Sequence, residues 1–299
     1  VGRPRALDLF CGGGGVSEGL RRAGFEVVGV DVVDHSRIYR AGPGRLVLEN
    51  PATFIRADAL FVLEILCGDH GEQLRDLWGR FDLVCASPPC QAHSSLRHLQ
   101  AGKVYPDLID PVRDLLKRWG GLWCIENVPG APLGGAHLTQ LCGTMFGLQT
   151  PDGRAELRRH RLFETSFSIP LRPACQHGYP AAGVLGVYGG RRKESLSVCG
   201  SGLDSGKERY RRRAITVTGA KGLPGLSRER RAISVTGNTA QTNTTVRNTK
   251  RETFSTADAR HAMGIAWMPM KQLSQAIPPE FARWIGLQAL AVLESRRRA

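Results

Sequence analysis

The chain has 299 residues, enough for one large domain and a smaller one around a sizeable core. Hydrophobic and charged shares of 41 % and 23 % are those of a globular protein in water, and no apolar run approaches the ~18 residues a membrane helix needs. A formal net charge of +14 points to a polyanionic partner.

That charge is concentrated. Residues 187–251 hold 15 Lys or Arg against 4 Asp or Glu, a net of +11, which reads as a nucleic-acid-binding element. The first residues lack the apolar core of a signal peptide, so a cytoplasmic protein is expected. The eight cysteines form no CxxC pair, and Cys175 with His177 and Cys199 lacks ligand spacing, so no metal site is expected.

Residues 6–11 (ALDLFC) form an apolar strand that runs into four glycines, 12–15. Ser17 reads as the cap of a short helix over 18–23, stopped by Gly24. A second strand, 25–30 (FEVVGV), ends at Asp31. Strand, glycine turn, helix, strand and then an acid about twenty residues on is the logic of a nucleoside-binding unit. With Gly12 and Gly14 as the first two glycines of that fingerprint, Ser17 stands at the third, so the match is partial.

Residues 34–50 are broken by Pro and Gly and show no regular element. A short strand over 54–58 ends in Asp58, and a helix starts at Ala59. The stretch 81–94, FDLVCASPPCQAHS, is an apolar strand halted by Pro88 and Pro89. Two prolines fix φ and remove two donors, so Cys90 is held on a stiff extended turn. Taken alone, a cysteine there is more often an inert small residue.

Residues 110–119 (DPVRDLLKRW) carry apolar positions at helical spacing, with Asp110 as cap and Pro111 at the first position. The strand 122–125 (LWCI) then leads into Glu126, Asn127, Val128, Pro129 and Gly130. Short apolar strands alternating with helices predict an α/β fold, a doubly wound and mostly parallel sheet with ligands at the strands' carboxyl ends. Phe10, Asp31, Asp58, Cys90 and Glu126 all fall at such ends.

Beyond residue 163 the texture changes. Four fragments of strand-then-glycine form surround Val187, Val198, Val217 and Val235, the last two preceded by Arg212-Arg213 and Arg230-Arg231. They predict a smaller β-rich domain with basic turns, over 172–251, between a catalytic part at 1–171 and a return segment at 252–299. Residues 238–249, rich in Asn and Thr, are expected to be mobile. Helical patterns return at 256–263 and 279–293, before an Arg-rich tail.

In this order the stretches resemble the DNA (cytosine-5)-methyltransferases, and the resemblance covers most of the chain outside 172–251. DLFCGGGGVSEGL is similar to the family's first motif, GVD and ADAL to its next two, SPPCQAHS to the nucleophile motif and ENVPG to that of the catalytic glutamate. RRHR matches the RxR pair, and ADARHAMGI and QLSQAIPPEFARWIG match the last two motifs. His93 stands where the family usually has Phe and Ser274-Gln275 where it has Gly-Asn, and the family's Gln near Leu157 is missing. The compact length and variant ending resemble phage-borne or orphan members.

The resemblance implies a Rossmann-like fold and S-adenosylmethionine, or a modified form of it, as cofactor. Phe10, Cys11, Gly12, Gly14, Asp31, Asp58, Pro89 and Gln275 would hold it. Cys90 would attack carbon 6 of a flipped-out cytosine, with Glu126 at ring nitrogen 3 and Arg159 and Arg161 at the base carbonyl. Gln91, Ser94 and the paired arginines would contact double-stranded DNA, and a monomer is expected. A relative acting on RNA, or one placing a bulkier group than methyl, fits the same motifs. A silent DNA-binding relative fits less well, because both Cys90 and Glu126 are retained.

Overall fold

The structure, a computed structural model, describes residues 2–68, 71–93, 105–135, 137–153, 155–169, 174–175, 183–188, 232–236, 239–243 and 253–298. Its apolar runs give β1 (Arg5–Leu9), β2 (Glu26–Asp31), β3 (Thr53–Arg56), β4 (Leu83–Ala86), β5 (Leu122–Asn127), β6 (Leu138–Leu141), β7 (Ala155–Leu157) and β8 (Arg161–Thr165). Seven of these form one sheet in the order β3-β2-β1-β4-β5-β8-β6. The first five strands are mutually parallel, and β8 runs antiparallel between β5 and β6. The order reverses between β1 and β4, so the crevice at their carboxyl ends is where such a sheet takes a ligand.

Alternating side chains send each strand's residues to opposite faces. Ala6, Val27, Leu83 and Cys124 pack with Leu20 of α1 (Gly15–Ala23) and with Phe281 and Ile285 of α8 (Pro279–Arg298). Leu7, Val30, Val84 and Ile125 pack on the other face, against Val62 and Leu63 of α3 (Ala59–Cys67) and Val112 and Leu116 of α5 (Ile109–Trp119). Each fully buried Leu, Ile or Phe contributes roughly 1.5–3 kcal/mol. The return segment is therefore part of the first domain's core.

Two expected caps are corrected. α1 starts at Gly15, with Gly14 as its left-handed N-cap (φ 85°) and no side-chain capping bond. Ser17 lies buried within the first turn and donates its hydroxyl to the Asp8 carboxylate, a partner it finds in the core rather than at the helix end. α5 starts one residue before Asp110, and its first amide, at Ile109, donates to Asp107 Oδ1 at 3.1 Å. Asp110, inside the helix, instead pairs with Arg113 one turn on.

The helices α2 (Ser36–Ala41) and α4 (Gly71–Trp78) fall where no helix was expected. A second sheet has the order β12-β11-β10-β9-β7, from β9 (Gly183–Tyr188), β10 (Ala232–Thr236), β11 (Thr239–Asn243) and β12 (Thr253–Phe254). It takes a strand from each side of the 172–251 segment. β11 falls on 239–243 of the stretch expected to be mobile: its threonines suit a strand, and it pairs antiparallel with β10, while residues 238 and 244–249 lie outside the described residues. The fragments around Val198 and Val217 lie outside the described residues. α6 (Thr256–Met263), α7 (Met270–Leu273) and the link between them cover Ala155 and Leu157 of β7 with Met263, Met268 and Leu273. Among the described residues no helix is long and apolar enough to cross a membrane.

Candidate active site

At the end of β1 the chain turns sharply. Phe10 is the one non-glycine among the described residues with positive φ (60°), and Gly12 and Gly14 follow at 50° and 85°. A non-glycine in that region is strained, and such strain collects at functional sites. The turn is tied down by the Cys11 amide on the Val30 carbonyl (3.0 Å) and the Gly12 amide on Asp31 Oδ2 (2.9 Å). Asp31 Oδ1 accepts from the Val33 amide at 2.9 Å, so this half-buried acid orders both turns.

The glycines divide by what surrounds them. A Cβ on Gly13 would meet Met268, one on Gly14 would meet Pro43 and Tyr39, and one on Gly15 would fall on the Ile277 carbonyl. Trp267 Nε1 also donates to the Gly13 carbonyl at 3.0 Å. A Cβ on Gly12 meets nothing within 4 Å. The turn thus presents Gly12 to open space while the glycines after it are packed by protein. Val32 and Val33, next to Asp31, are 60 % and 55 % exposed, an apolar surface at a strand end that sequence reading did not single out.

Asp58 is exposed and caps α3, accepting from the Leu60 and Phe61 amides on Oδ1 at 2.8 and 3.1 Å. Open backbone at Gly12, two carboxylates at adjacent strand ends and exposed valines between them fit a nucleoside with a flat apolar ring. Gln275 stands apart: it is exposed, and Ile277, two residues on, makes the contact with the glycine turn.

The second turn of the crevice follows β4. The Ser87 amide donates to the Leu9 carbonyl (3.1 Å), and Asn127 Nδ2 donates to the buried Pro88 carbonyl (3.0 Å). Pro89 and Cys90 are half-buried. The His93 amide closes the turn on the Cys90 carbonyl at 3.1 Å. His93 Nε2 lies 3.0 Å from Asp107 Oδ2, without hydrogen-bonding alignment, and so sets the Cys90 turn beside the start of α5.

Glu126, near the end of β5, is 7 % exposed. Burial raises its carboxyl above the ordinary range, against the opposing pull of Arg161, Arg159 and the Ser87 hydroxyl. Arg161 Nε is 3.1 Å from Glu126 Oε1, yet no donor meets that oxygen in hydrogen-bonding alignment. Gln91 Oε1 is likewise buried without a hydrogen-bond partner. Buried acceptors in that state are costly unless something else supplies the donor.

Arg159 is buried and donates from Nη2 to the Ser274 carbonyl at 2.9 Å, so it joins the site to the return segment. The Cys90 thiol is raised by burial, lowered by Arg161, raised by Glu126 and lowered by Arg159, with burial prevailing. Cys90, Glu126, Arg159 and Arg161 therefore form one electrostatic group, beside a turn fit for a nucleoside. Ser94, Arg212, Arg213, Arg230 and Arg231 lie outside the described residues.

No protein-family model matches the sequence, and no curated protein does. Among solved structures, the chain is similar to the methyltransferase EhMeth of Entamoeba histolytica, at 12 % identity over 98 % of this chain and 99 % of that one, with a TM-score of 0.45. It is also similar to the magnesium protoporphyrin IX methyltransferase of Synechocystis PCC 6803, solved with bound SAM, at 20 % identity over 42 % and 50 % of the two chains, TM-score 0.25. A SAM-dependent methyltransferase of Agrobacterium tumefaciens aligns at 20 % identity over 43 % and 40 %, TM-score 0.27. Likenesses at this level leave donor, substrate and the roles of single residues to the chemistry of the site.

Proposed function

We propose that this protein transfers a methyl group from S-adenosylmethionine to carbon 5 of a cytosine flipped out of duplex DNA. The observation that carries the reading is the grouping of Cys90, on a proline-stiffened turn, with a buried Glu126 whose Oε1 lacks an aligned donor and with Arg161 beside it.

Cytosine carbon 5 is too weak a nucleophile to take a methyl group unaided. The Cys90 thiolate adds to carbon 6, forming a carbon–sulfur bond and giving the ring enamine character at carbon 5. Glu126 acts as the proton donor to ring nitrogen 3 as charge builds there, burial shifting its carboxyl in the direction that role needs, and its unmet Oε1 matches the exocyclic amine. Arg161 or Arg159 supports the base carbonyl without losing its own charge. Gln91 Oε1 is the further buried acceptor on the nucleophile turn.

The Gly12 turn, Phe10, Asp31 and Asp58 hold the donor, which when bound supplies an electrophilic methyl on a sulfonium. After transfer, water takes the carbon 5 proton, and breaking of the carbon–sulfur bond restores the Cys90 thiolate. The target carbon is hidden in a duplex, so base flipping is required, at about a few kcal/mol. The +11 segment at 187–251 supplies phosphate contacts and base readout.

The test is to incubate the purified protein with duplex DNA and labelled S-adenosylmethionine, then digest to nucleosides for mass spectrometry. Labelled 5-methylcytosine is expected from the wild type and none from Cys90→Ala. Absence of any 5-substituted cytosine in the first, or undiminished product in the second, sinks the mechanism.

A further inference from the structure

β6 and β8 pair antiparallel, with Leu138 opposite Glu164 and Leu141 opposite Arg161. Continuing that register by one step sets Cys142 opposite His160, and directly opposed side chains stand close enough to touch. To this pair the chain brings Cys175, with its Sγ 3.6 Å from His160 Nε2. The two sulfurs and the imidazole nitrogen all lie within 4.8 Å of one another. Thr144 Oγ1 adds a hydroxyl at 3.4 Å from Cys142 Sγ and 3.9 Å from Cys175 Sγ.

Two thiols and an imidazole are the donors that soft and borderline cations prefer, zinc first among them in a cell. With Zn–S of about 2.3 Å and Zn–N of about 2.0 Å at a tetrahedral angle, sulfur and nitrogen stand about 3.5 Å apart. Cys175 and His160 are already at 3.6 Å. We propose that Cys142, His160 and Cys175 bind one zinc ion, with water or the Thr144 hydroxyl in the fourth position.

The ion has a place in the architecture. It joins the end of β6, the start of β8 and a residue beyond β8 that leads toward the second sheet. His160 lies between Arg159 and Arg161, so fixing its ring fixes the backbone that presents both arginines to Glu126 and Cys90. His160 is then a positioning residue, acting through its neighbours. No spacing in the sequence encodes the site, because two of its ligands meet only through sheet register.

Full-length protein purified under reductant, loaded with zinc and passed over chelating resin is expected to retain one zinc per chain by elemental mass spectrometry. Cobalt in its place should give a thiolate-to-cobalt charge-transfer band and the visible envelope of a tetrahedral site. Zinc should also raise the melting temperature of the wild type. Cys175→Ser, at an exposed position and with an unchanged far-ultraviolet dichroism spectrum, should lose the retained zinc, the band and the thermal shift. Reduced wild type that retains no zinc, or a Cys175→Ser variant that keeps zinc and band undiminished, overturns the site. So does a peptide map of the zinc-loaded protein in which Cys142 and Cys175 are joined as a disulfide.

Discussion

Glu126 has two opposed effects in the proposed reaction, and two readouts of one substitution separate them. In the proposed reaction its protonated form serves ring nitrogen 3, whereas its ionised form holds the Cys90 thiol up, in concert with burial and against Arg161 and Arg159. Glu126→Gln removes both effects. Turnover should fall about 10²–10⁴-fold, the usual contribution of a general acid. Alkylation of Cys90 by iodoacetamide at neutral pH should nevertheless become faster, because a charge that holds the thiol up is gone. Arg161→Ala should slow alkylation, since Arg161 is the largest influence drawing the thiol down. Equal or slower alkylation in Glu126→Gln would show that Glu126 exerts no charge on the thiol. At this scale much of the site was legible, because strand ends and prolines are local signals. The contact of His93 with Asp107 was not, since it depends on where α5 begins relative to the Cys90 turn.

At the scale of elements, the fit of α1 against α8 decides whether the glycine turn keeps its shape. A Cβ on Gly19 would fall on the Pro279 carbonyl and crowd Ala282 and the Arg283 amide at 2.7 and 2.8 Å. Helix propensity alone favours Gly→Ala by about 1 kcal/mol. The obstacles here are largely backbone atoms, which cannot rotate aside, and overpacking of this kind costs about 1–3 kcal/mol. Gly19→Ala should therefore destabilise the fold by up to about 2 kcal/mol in urea unfolding, despite the better helix former. Neutral or increased stability would mean that the helix pair slides apart at little cost. The sequence showed α6 and α8 through their periodicity, with α6 placed residue for residue. It did not show α2, which is only six residues long and lies in a Pro/Gly-broken stretch. Nor did it show β11, because a polar Thr/Asn run looks like loop until β10 offers it hydrogen bonds.

For the whole molecule, two sets of carboxyls pull stability in opposite directions along the pH axis. Glu18 and Glu164 are pushed up by burial, but Arg21 and Arg22 in the first case, and Arg113 with the Gly134 amide in the second, bring them below the ordinary 4.5. Their stabilisation is present above that value and lost as pH falls through the lower folded one. Asp8, fully buried in β1 between the sheet and α1, behaves oppositely: burial raises it from 3.8 to about 7, against the Ser17 hydrogen bond. A raised acid binds its proton more tightly when folded, so its contribution is complete below 3.8 and is lost as pH rises toward about 7. Full ionisation costs on the order of 4 kcal/mol. Glu126 is raised as well and adds to the same slope. Between about pH 5 and 8 the raised pair therefore dominates, because the lowered pair has finished titrating. The wild type should lose several degrees of melting temperature across that interval. Asp8→Asn keeps an oxygen for the Ser17 hydroxyl but never ionises, so its curve should be flatter and should cross above the wild type on the alkaline side. Parallel melting curves for the two proteins from pH 5 to 8 would mean that Asp8 is already ionised in the fold, with its cost met by neighbours such as the buried Tyr39 hydroxyl.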